Sequence, residues 1–239
     1  MKFRILHQDP QLVIIDKPAG FHTHPPEDQS HRISRGQNCL FLLGRQLGAY
    51  LYPVHRLDRA TSGVLMFALQ VEAARALALQ FQRQQVTKTY FAVVRGWTED
   101  QGEIDHPLRE LDSDPKPSRT SYRTVGRLEI AEPIGRYPTG RYSLVEVSPH
   151  SGRMHKIRRH FAHISHPLIP DPIYGDGAHN RYFRGTLGFA TLLLKARSLE
   201  FTHPESGARL RVHGKWTGDW QRVFERFGVC PFDNRVGPL

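Results

Sequence analysis

The densest group of chemically capable residues lies between positions 54 and 65, which read V-H-R-L-D-R-A-T-S-G-V-L. Asp58 stands just before a Thr-Ser-Gly turn, so backbone amides and the hydroxyl of Thr61 or Ser62 are predicted to hold its carboxylate. A carboxylate fixed beside Arg56 and Arg59 is expected to stay ionised, as a nucleophile or general base must. The alternative is an ordinary surface turn whose aspartate pairs with the neighbouring arginines.

A second group of reactive types lies at 151–160, which read S-G-R-M-H-K-I-R-R-H. If residues 152–165 form a helix, Met154, Ile157, Phe161 and Ile164 make a buried stripe. Arg158 then lies where the core meets a cleft. Because burying an unpaired guanidinium is costly, an acidic residue from elsewhere must meet it. That residue is either a catalytic carboxylate or a structural acid.

Composition favours a polyanionic partner. The chain has 239 residues and a formal net charge of +10, with 33 Lys plus Arg against 23 Asp plus Glu. Such an excess favours nucleic acid, with Arg153 and Arg159 in one of the basic clusters. Cys39 and Cys230 form no Cys-x-x-Cys pair, and no apolar run approaches the length of a membrane span. These features predict a reduced, cytoplasmic protein with no membrane contact.

The pattern of short apolar runs predicts the fold class. Strand-like runs lie at 12–16, 64–69, 90–95, 121–128, 142–148, 192–201 and 210–213. Helical spacing is found at 72–85, at 152–165 and around 220–227, where Gly228 ends the last helix. Strands and helices do not alternate strictly, so the prediction is an α+β fold with a mixed, mainly antiparallel sheet flanked by helices. No linker divides the chain, so 1–239 is expected to be a single catalytic domain.

Two segments are predicted to be loops, and no metal site is predicted. Residues 21–38 lack apolar periodicity and are expected to form a long loop over the site, and 112–119 a second loop. His160, His163 and His166 do not have the spacing of a His-Glu-x-x-His zinc motif. Tyr90 lies in an alternating strand and, by pattern alone, is either a core aromatic or a site residue.

Several segments together resemble one family. The string H-R-L-D-x-x-T-S-G at 55–63 resembles the signature of the RluA-type pseudouridine synthases. D-K-P-A-G at 16–20, T-K-T-Y-F-A-V-V-R-G at 87–96, and the run at 151–160 with H-P-L-I at 166–169 and D-P-I-Y-G at 171–175 resemble the family's other segments, in family order. The resemblance extends from about residue 5 to residue 215 and implies the pseudouridine synthase fold.

The resemblance implies roles for individual residues. Asp58 is the family's catalytic aspartate, and Arg158 is held against it. Tyr90 stacks on the target uracil and takes the proton from C5, and Arg56 fills the gap left by the flipped nucleotide. Because uridine isomerisation neither adds nor removes an atom, no cofactor or metal is expected. The expected substrate contacts are Arg56, His55, Thr61, Lys88, Arg153 and Arg159.

The resemblance also bears on the substrate. The chain starts at the catalytic segment, without the amino-terminal S4 RNA-binding domain of several rRNA enzymes. Residues 135–146 and 157–163 resemble the subgroup that modifies a U65-like site in the T-stem of tRNA. A 23S rRNA substrate and a non-catalytic RNA-binding or remodelling role are the alternatives, and a monomer is expected. Lys156, Pro170 and Lys195 stand where the family commonly has Gln, Gly and His, which leaves substrate choice and loop shape open.

Overall fold

The computed structural model describes residues 1–24, 34–109 and 114–230. The chain divides into two compact units, the first made of Met1–Lys88 and Ala196–Lys215, the second of Thr89–Lys195 and the segment from Trp216. The described strands are β1 Arg4–Gln8, β2 Leu12–Lys17, β3 Tyr52–Pro53, β4 Ser62–Ala68, β5 Thr87–Arg95, β6 Gln101–Asp105, β7 Arg119–Ile130, β8 Gly140–Pro149, β9 Leu194–Thr202 and β10 Arg209–His213. The described α-helices are α1 Cys39–Leu47, α2 Val71–Gln82, α3 Lys156–His163, α4 Gly177–Gly185 and α5 Gly218–Phe227.

The first unit contains α1 and a sheet that packs against α2. Its strands lie in the order β1, β2, β4, β9, while β3 pairs with β4 and β10 with β9. In the antiparallel β2 and β4 pair, Leu12 faces Ala68 and Lys17 faces Gly63. Alternate residues of β2 and β4 pack with Ala73 and Leu77 of α2 in a buried apolar cluster. This packing fixes the start of β4, where the Asp58 segment ends.

The second unit is built on strands in the order β5, β8, β7, β6, with antiparallel pairing between β5 and β8, β8 and β7, and β7 and β6. Its core is rich in aromatic side chains, and Phe91 of β5 contacts Trp216 and Phe224 edge-on. Helix α5 ends at Gly228, whose φ of 63° is the left-handed conformation that glycine adopts without strain. Both units are therefore of the α+β class. Each strand pair whose register is given above is antiparallel, and this confirms the predicted class.

The seven strands expected from the apolar runs are confirmed as β2, β4, β5, β7, β8, β9 and β10, with ends shifted by up to three residues. The sequence interpretation did not assign β1, β3, β6, α1 or α4. Helix α1 begins where the Asn38 side chain accepts a hydrogen bond from the Phe41 N–H, and it ends at left-handed Gly48. In the expected loop at 21–38, positions 25–33 lie outside the described residues, and Arg35–Gln37 form a short 3-10 helix. In the loop expected at 112–119, positions 112 and 113 also lie outside the described residues.

The helix expected at 152–165 is shorter than predicted. It spans Lys156–His163, because His155 takes a left-handed backbone with φ of 53° that stops the helix from extending toward the amino terminus. Ile157 and Phe161 are buried as expected, but Met154 lies before the helix and is exposed. The predicted four-residue buried stripe is therefore wrong at Met154, and Ile164 is only half-buried. Whether the two units act as the single expected domain stays a prediction.

Candidate active site

Asp58 lies in a turn between β3 and β4. The Thr61 N–H donates to the Asp58 carbonyl oxygen at 3.0 Å, which closes a four-residue turn. Asp58 is half-buried and Thr61 is buried, while Arg56 and Arg59 on either side of the aspartate are exposed. Asp58 is therefore beside a turn, as expected, but the turn spans residues 58–61, and Ser62 and Gly63 of the expected Thr-Ser-Gly turn belong to β4.

A second loop, 17–23, fixes the backbone of this turn. Gly20 donates its N–H to the Arg59 carbonyl at 2.8 Å, and Arg59 Nε donates back to the Gly20 carbonyl at 3.1 Å. The Thr23 hydroxyl donates to the Leu57 carbonyl and accepts from the Leu57 N–H, both at 3.1 Å. The residues on both sides of Asp58 are thus tied to the same loop.

Lys17 is the anchor of that loop. Its side chain is fully buried, and Nζ donates to the carbonyls of Pro18 at 3.0 Å, Phe21 at 2.8 Å and Arg59 at 3.3 Å. Burial lowers the pKa of Lys17 to about 8, and the negative charge of Asp58 opposes this shift. Burial also raises the pKa of the Cys39 thiol to about 11. The sequence interpretation quoted Lys17 as part of a motif but gave it no role.

His55 is half-buried and is held by the sheet. Its Nε2 accepts the Met66 N–H at 3.0 Å, and its ring stacks on Phe81 with centroids 4.7 Å apart. Burial, with a smaller effect from the positive charge of Lys88, lowers the pKa of His55 to about 3. Burial also lowers the pKa of Lys88. His55 is therefore neutral at pH 7, with its proton on Nδ1, and it fixes the entry to the Asp58 turn.

In the second unit, Arg158 is buried on α3 and has a carboxylate partner that the sequence interpretation did not name. Its Nε donates to Asp171 Oδ2 at 2.7 Å and its Nη2 donates to Asp171 Oδ1 at 2.8 Å. Burial would raise the pKa of Asp171, but hydrogen bonds from Arg158 and the Ile173 N–H hold it below its ordinary value. The acidic residue that the burial of Arg158 requires is therefore Asp171. The expected action of Arg158 on Asp58 stays a prediction.

Tyr90 lies in β5 opposite Val147 of β8 and is half-buried, whereas the next four residues of the strand are buried. It is thus placed where the core of the second unit gives way to a more exposed edge. Its contact with a uracil stays a prediction.

Arg153 lies just before α3 and Arg159 lies on α3, next to Arg158. Both side chains are half-buried. Arg153 Nη2 donates to the Pro117 carbonyl at 3.3 Å, and Arg159 Nη1 donates to the Arg109 carbonyl at 2.9 Å. Both arginines therefore hold neighbouring loop backbone. Binding of RNA phosphate by either of them stays a prediction.

Other classes of site find little support in the described residues. No three His, Cys, Asp or Glu side chains there are arranged to hold a metal ion. No described helix is long and apolar enough to cross a membrane. The two cysteines are free thiols, Cys39 buried and Cys230 exposed.

Comparison with known proteins gives one consistent family. Residues 11–163 match the sequence profile described as RNA pseudouridylate synthase. The chain is 42% identical over 236 residues to "tRNA pseudouridine synthase C" of Pectobacterium carotovorum, covering 94% of this chain but 62% of that protein. It is 38% identical to the protein of the same name from Vibrio vulnificus, covering 93% and 94%, and 41% identical to that of Salmonella typhi, covering 97% and 94%.

Solved structures agree on the fold. Human RNA Pseudouridylate Synthase Domain Containing 4 superposes with a TM-score of 0.71 at 23% identity, covering 94% of this chain and 93% of that one. Human RNA Pseudouridylate Synthase Domain Containing 1 gives 0.68 at 20% identity, with 96% of each chain covered. At such low identity the likeness establishes the fold alone.

Proposed function

We propose that this chain, which belongs to the RluA-type branch of the RNA pseudouridylate synthase family, converts a uridine of tRNA to pseudouridine. The observation that carries the proposal is the anchored turn around Asp58, whose two flanks are bonded to loop 17–23. The names of the similar bacterial proteins support tRNA as the substrate. The chain spans 62% of the Pectobacterium protein, so the activity of that whole protein is attributed to this chain only as a proposal. We further propose that the protein acts as a monomer in the cytoplasm.

The proposed reaction breaks the bond between N1 and C1′, turns the base, and joins C5 to C1′. The proton lost from C5 is balanced by the proton gained at N1, so the side chains proposed for this site suffice for the chemistry. Asp58 begins it as a nucleophile toward the base, as a nucleophile toward the sugar, or as a base that gives a glycal. These three routes stay open.

Other residues have proposed supporting roles. Tyr90 stacks on the uracil and takes the C5 proton, and Arg56 occupies the position left by the flipped nucleotide. Arg158 orients the Asp58 carboxylate. Since the Nε2 atom of His55 is already bonded to Met66, any RNA contact from His55 uses Nδ1. The remaining proposed RNA contacts are Thr61, Lys88, Arg153 and Arg159.

The first test is isomerisation by the purified chain with no metal or nucleotide added. We expect pseudouridine to form in bulk tRNA and Asp58→Asn to abolish it while leaving the fold intact, because the amide is neither nucleophile nor base. Asp100→Asn removes an exposed carboxylate paired with Arg127 and is the matched control, with activity retained. Activity that survives Asp58→Asn contradicts the mechanism, and activity lost to a chelator indicates a metal. RNA binding without isomerisation by the wild type favours the non-catalytic alternative.

The second test identifies the RNA. Unstacking a base within a duplex costs a few kcal/mol, which contacts to a folded RNA must offset. We expect cells lacking this protein to lose one pseudouridine in the T-stem of a few tRNAs, at a U65-like site, and none in 23S rRNA. Pseudouridine mapping in both RNA pools of a deletion strain checks this. A missing rRNA site with unchanged tRNA overturns the tRNA proposal and leaves the family assignment in place.

A further inference from the structure

Asp171, which lies outside the Asp58 motif, is the most completely bonded carboxylate described in the second unit. Oδ2 accepts from Arg158 Nε, and Oδ1 accepts from Arg158 Nη2, from the Ile173 N–H at 2.9 Å and from the Tyr174 N–H at 3.2 Å. The relative exposure of Asp171 is 0% and that of Arg158 is 2%. The carboxylate is therefore held by backbone N–H groups of its own loop as well as by the guanidinium.

The Asp171 backbone is fixed as well. Its carbonyl accepts from the Gly175 N–H at 3.0 Å and from Asn180 Nδ2 at 2.7 Å, which ties the 171–175 loop to helix α4. A Cβ on Gly175 would lie 2.4 Å from this carbonyl oxygen, so the tight turn depends on glycine. The position of the Asp171 carboxylate is thus set by bonds at both its side chain and its main chain.

Tyr174 restrains the same guanidinium from a second direction. The Arg158 Cζ lies 5.2 Å from the centre of the Tyr174 ring. The Tyr174 hydroxyl lies 3.1 Å from Nδ1 of His155, the residue immediately before α3. Asp171 therefore defines one edge of the Arg158 group, and Tyr174 packs against it.

We propose that Asp171 is a positioning residue that sets the direction of the Arg158 guanidinium, with Tyr174 as its support. The inference rests on the proposed function, in which Arg158 orients the Asp58 carboxylate. A guanidinium carries five N–H donors in a rigid fork, so a two-point bond to Asp171 fixes its plane and is compatible with binding a second carboxylate.

Stabilisation of the fold does not by itself account for this arrangement. A buried ion pair contributes little net stability compared with well-packed apolar side chains, because both charges lose their hydration. A bidentate pair does supply directional precision, and an error of about 1 Å in a catalytic group can lower a rate about 100-fold. The geometry of the pair is therefore suited to orientation.

The test separates the chemical step from RNA binding. Asp171→Asn preserves shape but places an amide N–H₂ against the Arg158 donors. We expect the single-turnover rate constant at saturating enzyme to fall about 100-fold, while the Kd for tRNA changes by less than about threefold. Asp176→Asn is the matched control, since Asp176 directly follows the 171–175 loop, caps α4 through the Ala178 N–H at 2.8 Å and pairs with Arg95 at 3.0 Å. It is expected to lower Tm with little change in the rate constant.

Each contrary outcome has a definite meaning. If Asp171→Asn and Asp176→Asn have equal rate constants per folded molecule, or if Asp171→Asn weakens RNA binding with an unchanged rate constant, the positioning role is overturned. If Asp171→Asn does not fold, two variants of Tyr174 provide the test. Tyr174→Phe keeps the ring beside the guanidinium and should retain most of the rate constant. Tyr174→Leu removes the ring and should lose most of it. Equal rates for these two variants overturn the proposal. A wild-type protein that forms no pseudouridine contradicts the proposed function, whereas an active wild type with an equally active Asp171→Asn contradicts only the positioning role.

Discussion

At the residue scale, several titratable side chains owe their behaviour to burial. Burial lowers the pKa of His55 to about 3 and that of His160 to about 4. His160 is fully buried and its Nε2 lies 3.1 Å from the His106 carbonyl, while Nδ1 has no described partner. Both histidines are therefore neutral in the folded protein at pH 7, and protonating either one favours unfolding.

We expect acid to destabilise the protein through these two histidines well above the range in which carboxylates titrate. An unfolded histidine has a pKa of about 6.5, so the stabilising effect is complete above that pH and is lost as pH falls toward the folded value. From pH 7 to pH 5 each histidine should lower the free energy of unfolding by about 2 kcal/mol. Urea unfolding across this range measures the loss. His160→Gln should flatten the dependence, whereas His150→Gln, at an exposed site, should leave it unchanged; equal slopes contradict the assignment.

At the element scale, the Asp58 turn depends on how closely β4 approaches β9. Gly63 has a φ of 117°, and a Cβ there would lie 2.1 Å from the Ala196 carbonyl oxygen. Real atoms do not approach so closely, so any side chain at 63 pushes the two strands apart. Gly63 is the second residue of β4 and lies after the turn, so the glycine of the Thr-Ser-Gly string is needed for strand packing.

We expect Gly63→Ala to lower the free energy of unfolding by more than about 4 kcal/mol, because backbone strain and a main-chain clash act together. Gly20→Ala is the control, since Gly20 also has a left-handed φ of 92° but no atom lies within 4 Å of its would-be Cβ. That variant should lose only about 1–2 kcal/mol, from strain alone. Chemical denaturation of both variants measures the difference. Similar losses would mean that the β4 and β9 backbones separate easily.

At the scale of the whole molecule, charge governs the approach to RNA. The formal net charge of +10 attracts a polyanion from a distance. Many arginines are nevertheless paired with carboxylates, as Arg209 and Arg211 are with the shared Glu200. The total of 33 Lys plus Arg therefore overstates the number of cations available to phosphate, and Arg153 and Arg159, which bond to carbonyls, are the better candidates.

We expect affinity for tRNA to fall steeply with salt, because each bound phosphate releases condensed counterions. Arg153→Gln or Arg159→Gln should weaken binding and reduce the slope of log Kd against log salt by about one per lost contact. Arg211→Gln removes the same formal charge from a carboxylate-paired position and should leave the slope nearly unchanged. Filter binding at several salt concentrations gives the slopes. Slopes equal to the wild type for both Arg153 and Arg159 variants would place the RNA elsewhere.

The sequence by itself determined the family, the α+β class, the seven principal strands and the presence of a turn beside Asp58, though it placed that turn too far along the chain. These features are local. Alternating apolar residues form strands wherever one face is buried, and the turn at 58–61 is closed by a hydrogen bond between residues three apart. The end of α5 at Gly228 was predictable for the same reason, because glycine accepts the left-handed conformation that stops a helix.

Only the tertiary structure decided which side chains meet. Nothing in the sequence indicated that Lys17 would bond to the Arg59 carbonyl, or that Asp171, rather than some other acid, would take two bonds from Arg158. The left-handed His155 that shortens α3 was equally hidden. These pairings join residues that are distant in the chain, and they depend on how each core packs. A buried charge must find a partner, but packing alone determines which partner lies within reach.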